Sequence, residues 1–158
     1  MDPKQKQKIL RNISVIVDNP QLCTNDVFID NNMNTKHVSI LHKGRKCVAS
    51  AINIPSGIDS YTGHAERQVI DKYVYSNKKH PRKNMQNLTL TNIRFTKDGE
   101  VALSKPCPIC KQYIILNSKL VSRVQYIDNE GNLKMSRPED INSTFTSYQL
   151  ERRFRNKN

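Results

Sequence analysis

The sequence predicts an α/β domain, a sheet with helices on its faces. Helix-like and strand-like stretches alternate in the order α-β-β-α-β-α-β, with a further strand near the end, and such alternation builds layered α/β domains. The chain has 158 residues, a length that suits one domain. Aromatic residues make up only 6% and Trp is absent, which fits a small regular core better than a large sandwich of sheets. Hydrophobic residues make up 36% and mean hydropathy is -0.69, polar for a globular domain but enough for one modest core.

Residues 4–17 read as a helix, because Ile9, Leu10, Ile13, Ile16 and Val17 recur at three- and four-residue spacings and form one apolar stripe. A surface helix packed on a sheet is the expectation. Residues 18–36 are rich in Asn and Asp and read as irregular. Residues 37–42 and 47–54 read as strands, joined by a hairpin turn at Lys43-Gly44-Arg45-Lys46 with Gly at its tip. Pro55-Ser56-Gly57 closes the second strand.

Residues 65–76 read as a helix with Ala65, Val69, Ile70 and Tyr73 on one side. A polar linker follows over residues 77–87, basic at Lys78, Lys79, His80, Arg82 and Lys83 and broken by Pro81. Leu88, Leu90, Ile93 and Phe95 mark a strand over residues 88–96, with one irregularity at Thr91-Asn92. Lys97-Asp98-Gly99-Glu100 reads as a turn and residues 101–103 as a short strand. Residues 108–117 read as a third helix and residues 121–127 as a strand. Asn129-Glu130-Gly131-Asn132 reads as a tight turn, with residues 133–136 pairing back. The expected organisation is one domain over residues 1–137 and a polar, basic tail over residues 138–158, ending in Glu151-Arg152-Arg153-Phe154-Arg155.

No run of about 18 apolar residues exists, so no membrane helix is expected. The start, Met1-Asp2-Pro3-Lys4-Gln5-Lys6, lacks the apolar segment of a secretory signal. An intracellular protein without a membrane partner is the expectation. The formal net charge is +12, with pI about 9.7, which favours polyanionic partners. A composition rich in Asn, Lys and Ile throughout gives the same count without any binding face, so both readings stand.

Four cysteines are present. Cys107 and Cys110 form a close pair, which in a reducing compartment points to metal or redox chemistry. Cys23 and Cys47 have no local partner and read as small buried hydrophobes.

The chemistry sits in His64-Ala65-Glu66 and Pro106-Cys107-Pro108-Ile109-Cys110. Zinc takes nitrogen and thiolate ligands in a tetrahedron, and His64, Cys107 and Cys110 supply three. Three protein ligands with an open fourth position is the catalytic pattern. Both ligand sets begin helices, where exposed N–H groups favour thiolate. Glu66, two residues from His64, can reach water at such a site without occupying the metal. A structural site closed by Cys47, His37 or His42 is one alternative. A redox pair is another, but it leaves Pro106 and the His-x-Glu unexplained. The order H-x-E then P-C-x-x-C is the signature of zinc deaminases.

On these motifs the chain resembles the cytidine-deaminase-like superfamily, nearest to its deoxycytidylate and tRNA adenosine deaminase branches. The resemblance spans roughly His37 to Ser136. It implies a three-layer α/β/α sandwich around a mixed five-stranded sheet, with Zn2+ at the starts of the two motif helices. It implies a hydrolytic deaminase, cytosine to uracil, with Glu66 as the catalytic proton shuttle and Asn53, Tyr61 and Ala65 as substrate-binding residues. A homo-oligomer is also expected. The chain departs from the family pattern at Arg67-Gln68-Val69-Ile70 and in a long link from Glu66 to Pro106. The substrate is a nucleoside, a nucleotide or a single-stranded nucleic acid. For single strands Tyr61 and Tyr113 are stacking candidates, with ordinary packing favoured for Tyr113. A second class stays open: a basic nucleic-acid-associated or particle protein that keeps the fold and zinc site.

Overall fold

A hairpin opens the sheet. β1 (Thr35–Lys43) runs antiparallel to β2 (Lys46–Ile52), and Lys43 pairs with Lys46, leaving Gly44 and Arg45 as the turn. Gly44 has φ +56, in the left-handed region that side chains disfavour. A two-residue turn with Gly first follows the natural twist of paired strands. The computed structural model describes residue 4 and residues 35–53, 63–78, 86–96 and 101–143. The expected helix over residues 4–17 beyond its first residue, most of the irregular stretch over 18–36 and the turn at 97–100 lie outside these residues. So do most of the basic linker and the end of the tail.

α1 (Ala65–Ser76) buries Ala65, Val69, Ile70 and Tyr73, the stripe its spacing predicts, together with Glu66. β3 (Leu88–Thr96) pairs antiparallel with β1 from Thr89 to Thr96. The short β4 (Val101–Ala102) folds back on the end of β3. α2 (Pro108–Leu116) starts with Pro108 in its first turn, where a missing N–H costs nothing. β5 (Val121–Ile127) then lies parallel to β3, as a helical crossover requires, and β6 (Leu133–Ser136) pairs back antiparallel.

The sheet is mixed and six-stranded, in the order β2-β1-β3-β5-β6 with β4 beside β3. The resemblance implies five strands; β4 is the sixth. It fits because β5 pairs only with Leu88 to Thr91, which leaves the upper part of the same β3 edge for β4 at Arg94 and Phe95. Part of the long link between the two motifs is this hairpin.

Both described helices pack on one face. Val69, Ile70 and Tyr73 of α1 and Ile114 of α2 form one cluster with Leu41, Leu88, Leu90 and Val124. Val38, Ile40, Ile93, Phe95, Val101 and Ile127 form a second cluster on the opposite face. The described residues thus give a helical layer on a sheet, and the expected third layer falls outside them.

The irregularity at Thr91-Asn92 has a physical cause. Leu88 and Leu90 belong to the helix-side cluster, while Ile93 and Phe95 belong to the other. The strand keeps its register with β1 throughout, and its apolar face switches sides halfway. Thr91 and Asn92 sit at the switch, and both are fully buried. The helix-side face of β3 therefore turns polar beyond Leu90.

The chain remains packed past β6. A 3-10 turn at Pro138–Asp140 leads to Ile141, which joins the helix-side cluster. Lys111 Nζ donates to the Ile141 carbonyl at 2.7 Å and Ser143 Oγ donates to the Pro106 carbonyl at 2.5 Å. The segment that reads as polar from Pro138 thus begins by bracing α2 and the loop before it.

Candidate metal centre

Two helix starts converge at one end of the sheet. His64 is the N-cap of α1 and Cys107 the N-cap of α2, both in extended conformation. The Cys107 sulfur accepts from the Cys110 backbone N–H at 3.4 Å, so the ligand also caps its helix. His64 Nδ1 lies 3.2 Å from Cys110 Sγ and 3.7 Å from Cys107 Sγ. The three ligand atoms all lie within 4.8 Å of one another.

These distances fit a metal. Bond lengths of 2.0 to 2.1 Å to nitrogen and 2.3 Å to sulfur at tetrahedral angles put the two ligand atoms about 3.5 Å apart. The observed pair brackets that value. One imidazole and two thiols also suit zinc or another borderline-soft ion. Among the described residues no fourth His, Cys, Asp or Glu joins the group. His42, a possible fourth ligand by sequence, is instead bonded to the Gly44 carbonyl and to Thr91. Cys47 is half-buried against the opposite cluster, as a small hydrophobe would be.

The two thiols are pushed in opposite directions. A hydrogen bond from Cys110 holds the Cys107 thiol down to about 4, and the same bond, with burial, pushes Cys110 up. A cation between them favours thiolate on both.

Glu66 lies in the first turn of α1 and is almost fully buried. Burial pushes its carboxyl above the ordinary range, against the smaller opposing effect of its hydrogen bonds and of His64. Its partner is Asn92, whose Nδ2 donates to Glu66 Oε1 at 2.8 Å. Asn92 is fully engaged. It also donates to the Ser104 carbonyl at 2.8 Å, and its Oδ1 accepts from Ser39 Oγ at 2.7 Å. Ser104 Oγ returns a bond to the Asn92 carbonyl at 2.6 Å and accepts from the Ile127 N–H at 2.8 Å. Ser104 thus satisfies backbone groups at the junction of β3, β4 and β5.

Asn92, Ser39 and Ser104 are absent from the sequence-derived site. The available signal was the break in alternation at Thr91-Asn92, a polar residue where a core residue is due.

The substrate-binding candidates fall in different places. Asn53 follows β2; its Oδ1 accepts from the His37 N–H at 2.9 Å, and its own N–H donates to the His37 carbonyl at 3.1 Å. That ties the end of β2 to β1. Ala65 is fully buried at the first position of α1. Tyr61 lies outside the described residues. Tyr113 joins the two helices: its hydroxyl donates to Asp71, and Arg67 sits 4.8 Å over its ring. Burial and the Asp71 bond push the Tyr113 phenol up to about 12. That is the packing role.

No protein-family model matches this chain, and no curated protein matches it either. The chain therefore has an α/β fold with a candidate metal triad, and the site's own residues carry the functional argument. Among the described residues no helix is long and apolar enough to cross a membrane.

Proposed function

We propose that the protein is a zinc-dependent hydrolytic deaminase of a nucleobase, most simply cytosine. The observation that carries this is the grouping of His64, Cys107 and Cys110 at two helix starts, with a buried carboxyl two residues along α1. Water replaces the exocyclic amino group, giving the carbonyl of uracil and releasing ammonia. His64, Cys107 and Cys110 would hold the metal. When bound, zinc supplies the Lewis acidity that makes water a nucleophile near neutral pH.

The chain's own residues do the rest. Asn92 fixes one Glu66 oxygen and with it the side-chain rotamer. Glu66, in a buried site, moves one proton from the attacking water to the ring nitrogen, and then the second, from the hydroxyl so formed, to the departing amine. Asn53 and Ala65 are candidate contacts for substrate on the family pattern.

The test is ammonia release from zinc-loaded protein. The panel is cytidine, deoxycytidine, their monophosphates, adenosine, guanine, single-stranded DNA and single-stranded RNA, with Glu66→Ala as control. Turnover lost in Glu66→Ala protein that keeps its zinc supports the assignment. Undiminished turnover in that variant sinks the role of Glu66. Silence across the panel from zinc-loaded protein sinks the deaminase reading for these substrates and favours a binding or particle role.

A further inference from the structure

Arg94 stands on the metal-centre face of the sheet with no role in holding the metal. β1 and β3 present three successive cross-strand pairs on that face: Leu41 with Leu90, Ser39 with Asn92, and His37 with Arg94. Residues two apart along a strand share a face. The Asn92 bond to Glu66 shows that this face looks toward the start of α1. The rows run from apolar core, through a neutral polar pair bonded to Glu66, to a pair of basic side chains. On the other side of Arg94, β4 places Ala102, a small side chain that leaves room.

Arg94 Nε is buried with no hydrogen-bond partner. Ion pairs join Arg67 to Asp71 and Lys134 to Asp128, and among the described residues no carboxylate pairs with Arg94. Glu66, on the same face, gives its oxygen to Asn92. A buried donor without an acceptor is costly, and more so on a charged group. Such a group calls for an explanation, and an acceptor brought by a ligand is one. Burial, then the charges of Arg94 and His64, hold His37 down to about 4. Arg94, whose guanidinium is always protonated, carries a permanent charge in the row.

We propose that Arg94 is the anion-binding residue of this site, and that it takes the phosphate of a nucleotide, free or within a single strand. The ligand class rests on the deaminase reading for its base and adds the phosphate. The guanidinium is planar, always charged and shaped to grip phosphate oxygens with paired N–H groups. Nε itself is covered, but Arg94 as a whole is only half-buried, so part of the residue still meets solvent. A free nucleoside or base brings no such acceptor and leaves Nε unpaired.

Equilibrium binding tests this. Glu66→Gln halts proton transfer and serves as the zinc-loaded background. Deoxycytidine, deoxycytidine monophosphate and a short oligodeoxycytidylate are titrated with Arg94 intact, Arg94→Lys and Arg94→Gln. The phosphate-bearing ligand is expected to bind roughly tenfold or more tighter than the nucleoside. Arg94→Gln should erase that gain and Arg94→Lys restore part of it. A gain for the monophosphate alone assigns a terminal phosphate, and a gain for the oligonucleotide alone assigns a phosphodiester; either supports the site. Equal binding of nucleoside and phosphorylated ligands, or a preference that survives Arg94→Gln, overturns it.

Thermal melting of the same proteins in inorganic phosphate separates this inference from the deaminase reading. If no cytosine ligand binds, an upward shift with Arg94 that Arg94→Gln loses keeps the anion site while the deaminase reading falls. No shift in any variant overturns the anion site. If Arg94→Gln does not fold, Arg94→Lys carries the test: its point charge lacks the fork, so the gain should shrink, and an undiminished gain counts against the site.

Discussion

Asn92 in the middle of β3 donates a 2.8 Å hydrogen bond to Glu66 in the first turn of α1. The bond links the sheet to the side chain two residues beyond His64, a candidate metal ligand. Every polar atom of the Asn92 side chain is used, on Glu66, Ser104 and Ser39. Asn92→Ala should therefore do two things. It should lower kcat roughly 10- to 100-fold while zinc stays bound, because Glu66 loses its orientation. It should also destabilise the fold by about 1 to 3 kcal/mol, because buried partners are left unsatisfied. Zinc content, kcat and denaturant midpoint on one preparation check all three. An unchanged midpoint would mean that the buried network is replaced by water without loss.

Metal content should follow the three ligands. Wild-type protein should carry one zinc ion per chain, and His64→Ala, Cys107→Ser or Cys110→Ser should each lose most of it. Binding requires thiolates, so it must release protons, and affinity should rise with pH. Calorimetric titration in buffers of different ionisation enthalpy reads the protons released. Because the ligands cap α1 and α2, a chelator should also lower the melting temperature. Full zinc occupancy in Cys110→Ser protein would show that the ligand set is wrong.

The parts of the site legible in the sequence are those with a chemical spelling. His64, Cys107 and Cys110 are close together in space because their spacings place them at two helix starts, and metal-ligand chemistry makes such residues recognisable. α1 and β5 have the boundaries read from the sequence; for α1 the helical spacing of Ala65, Val69, Ile70 and Tyr73 made that stretch legible. Asn92 and Arg94 were not legible as site residues. A single Asn or Arg in a strand has no signature, and its meaning depends on which face it occupies. That face is set by a switch between two apolar clusters, which reads in one dimension as a broken alternation. Ile141 was hidden for another reason: one apolar residue in a polar stretch shows no period, yet it is buried on the core.

Stability should depend on pH through His42. Its ring is buried, Nδ1 donates to the Gly44 carbonyl at 2.8 Å, and Nε2 lies 2.7 Å from Thr91 Oγ1. Burial lowers its pKa from the ordinary 6.5, against the smaller opposing effect of the Gly44 bond. The unfolded chain thus takes up the proton first as pH falls. The contribution is fully present above about pH 6.5 and declines below it, with a slope of at most about 1.4 kcal/mol per pH unit. His37 acts in the same direction down to about 4. The difference between the wild-type and His42→Asn stability profiles from pH 8 to pH 5 isolates the His42 share. A difference that does not change with pH would show that the folded ring titrates normally.

The β1–β2 turn offers a test of local backbone strain. Gly44 has φ +56, and a Cβ built there meets nothing within 4 Å. Any penalty for Gly44→Ala is therefore conformational, about 1 to 2 kcal/mol for a left-handed residue, with no steric clash to add. The Gly44 carbonyl also accepts from His42, so a turn that relaxes to escape the strain would loosen that bond. Two outcomes are distinguishable by double-mutant cycle with His42→Asn. If the turn holds its shape, the two losses add. If it relaxes, Gly44→Ala already forfeits the His42 bond, and the double variant is less destabilised than the sum. A Gly44→Ala protein as stable as wild type would mean that φ at this position is not positive in solution.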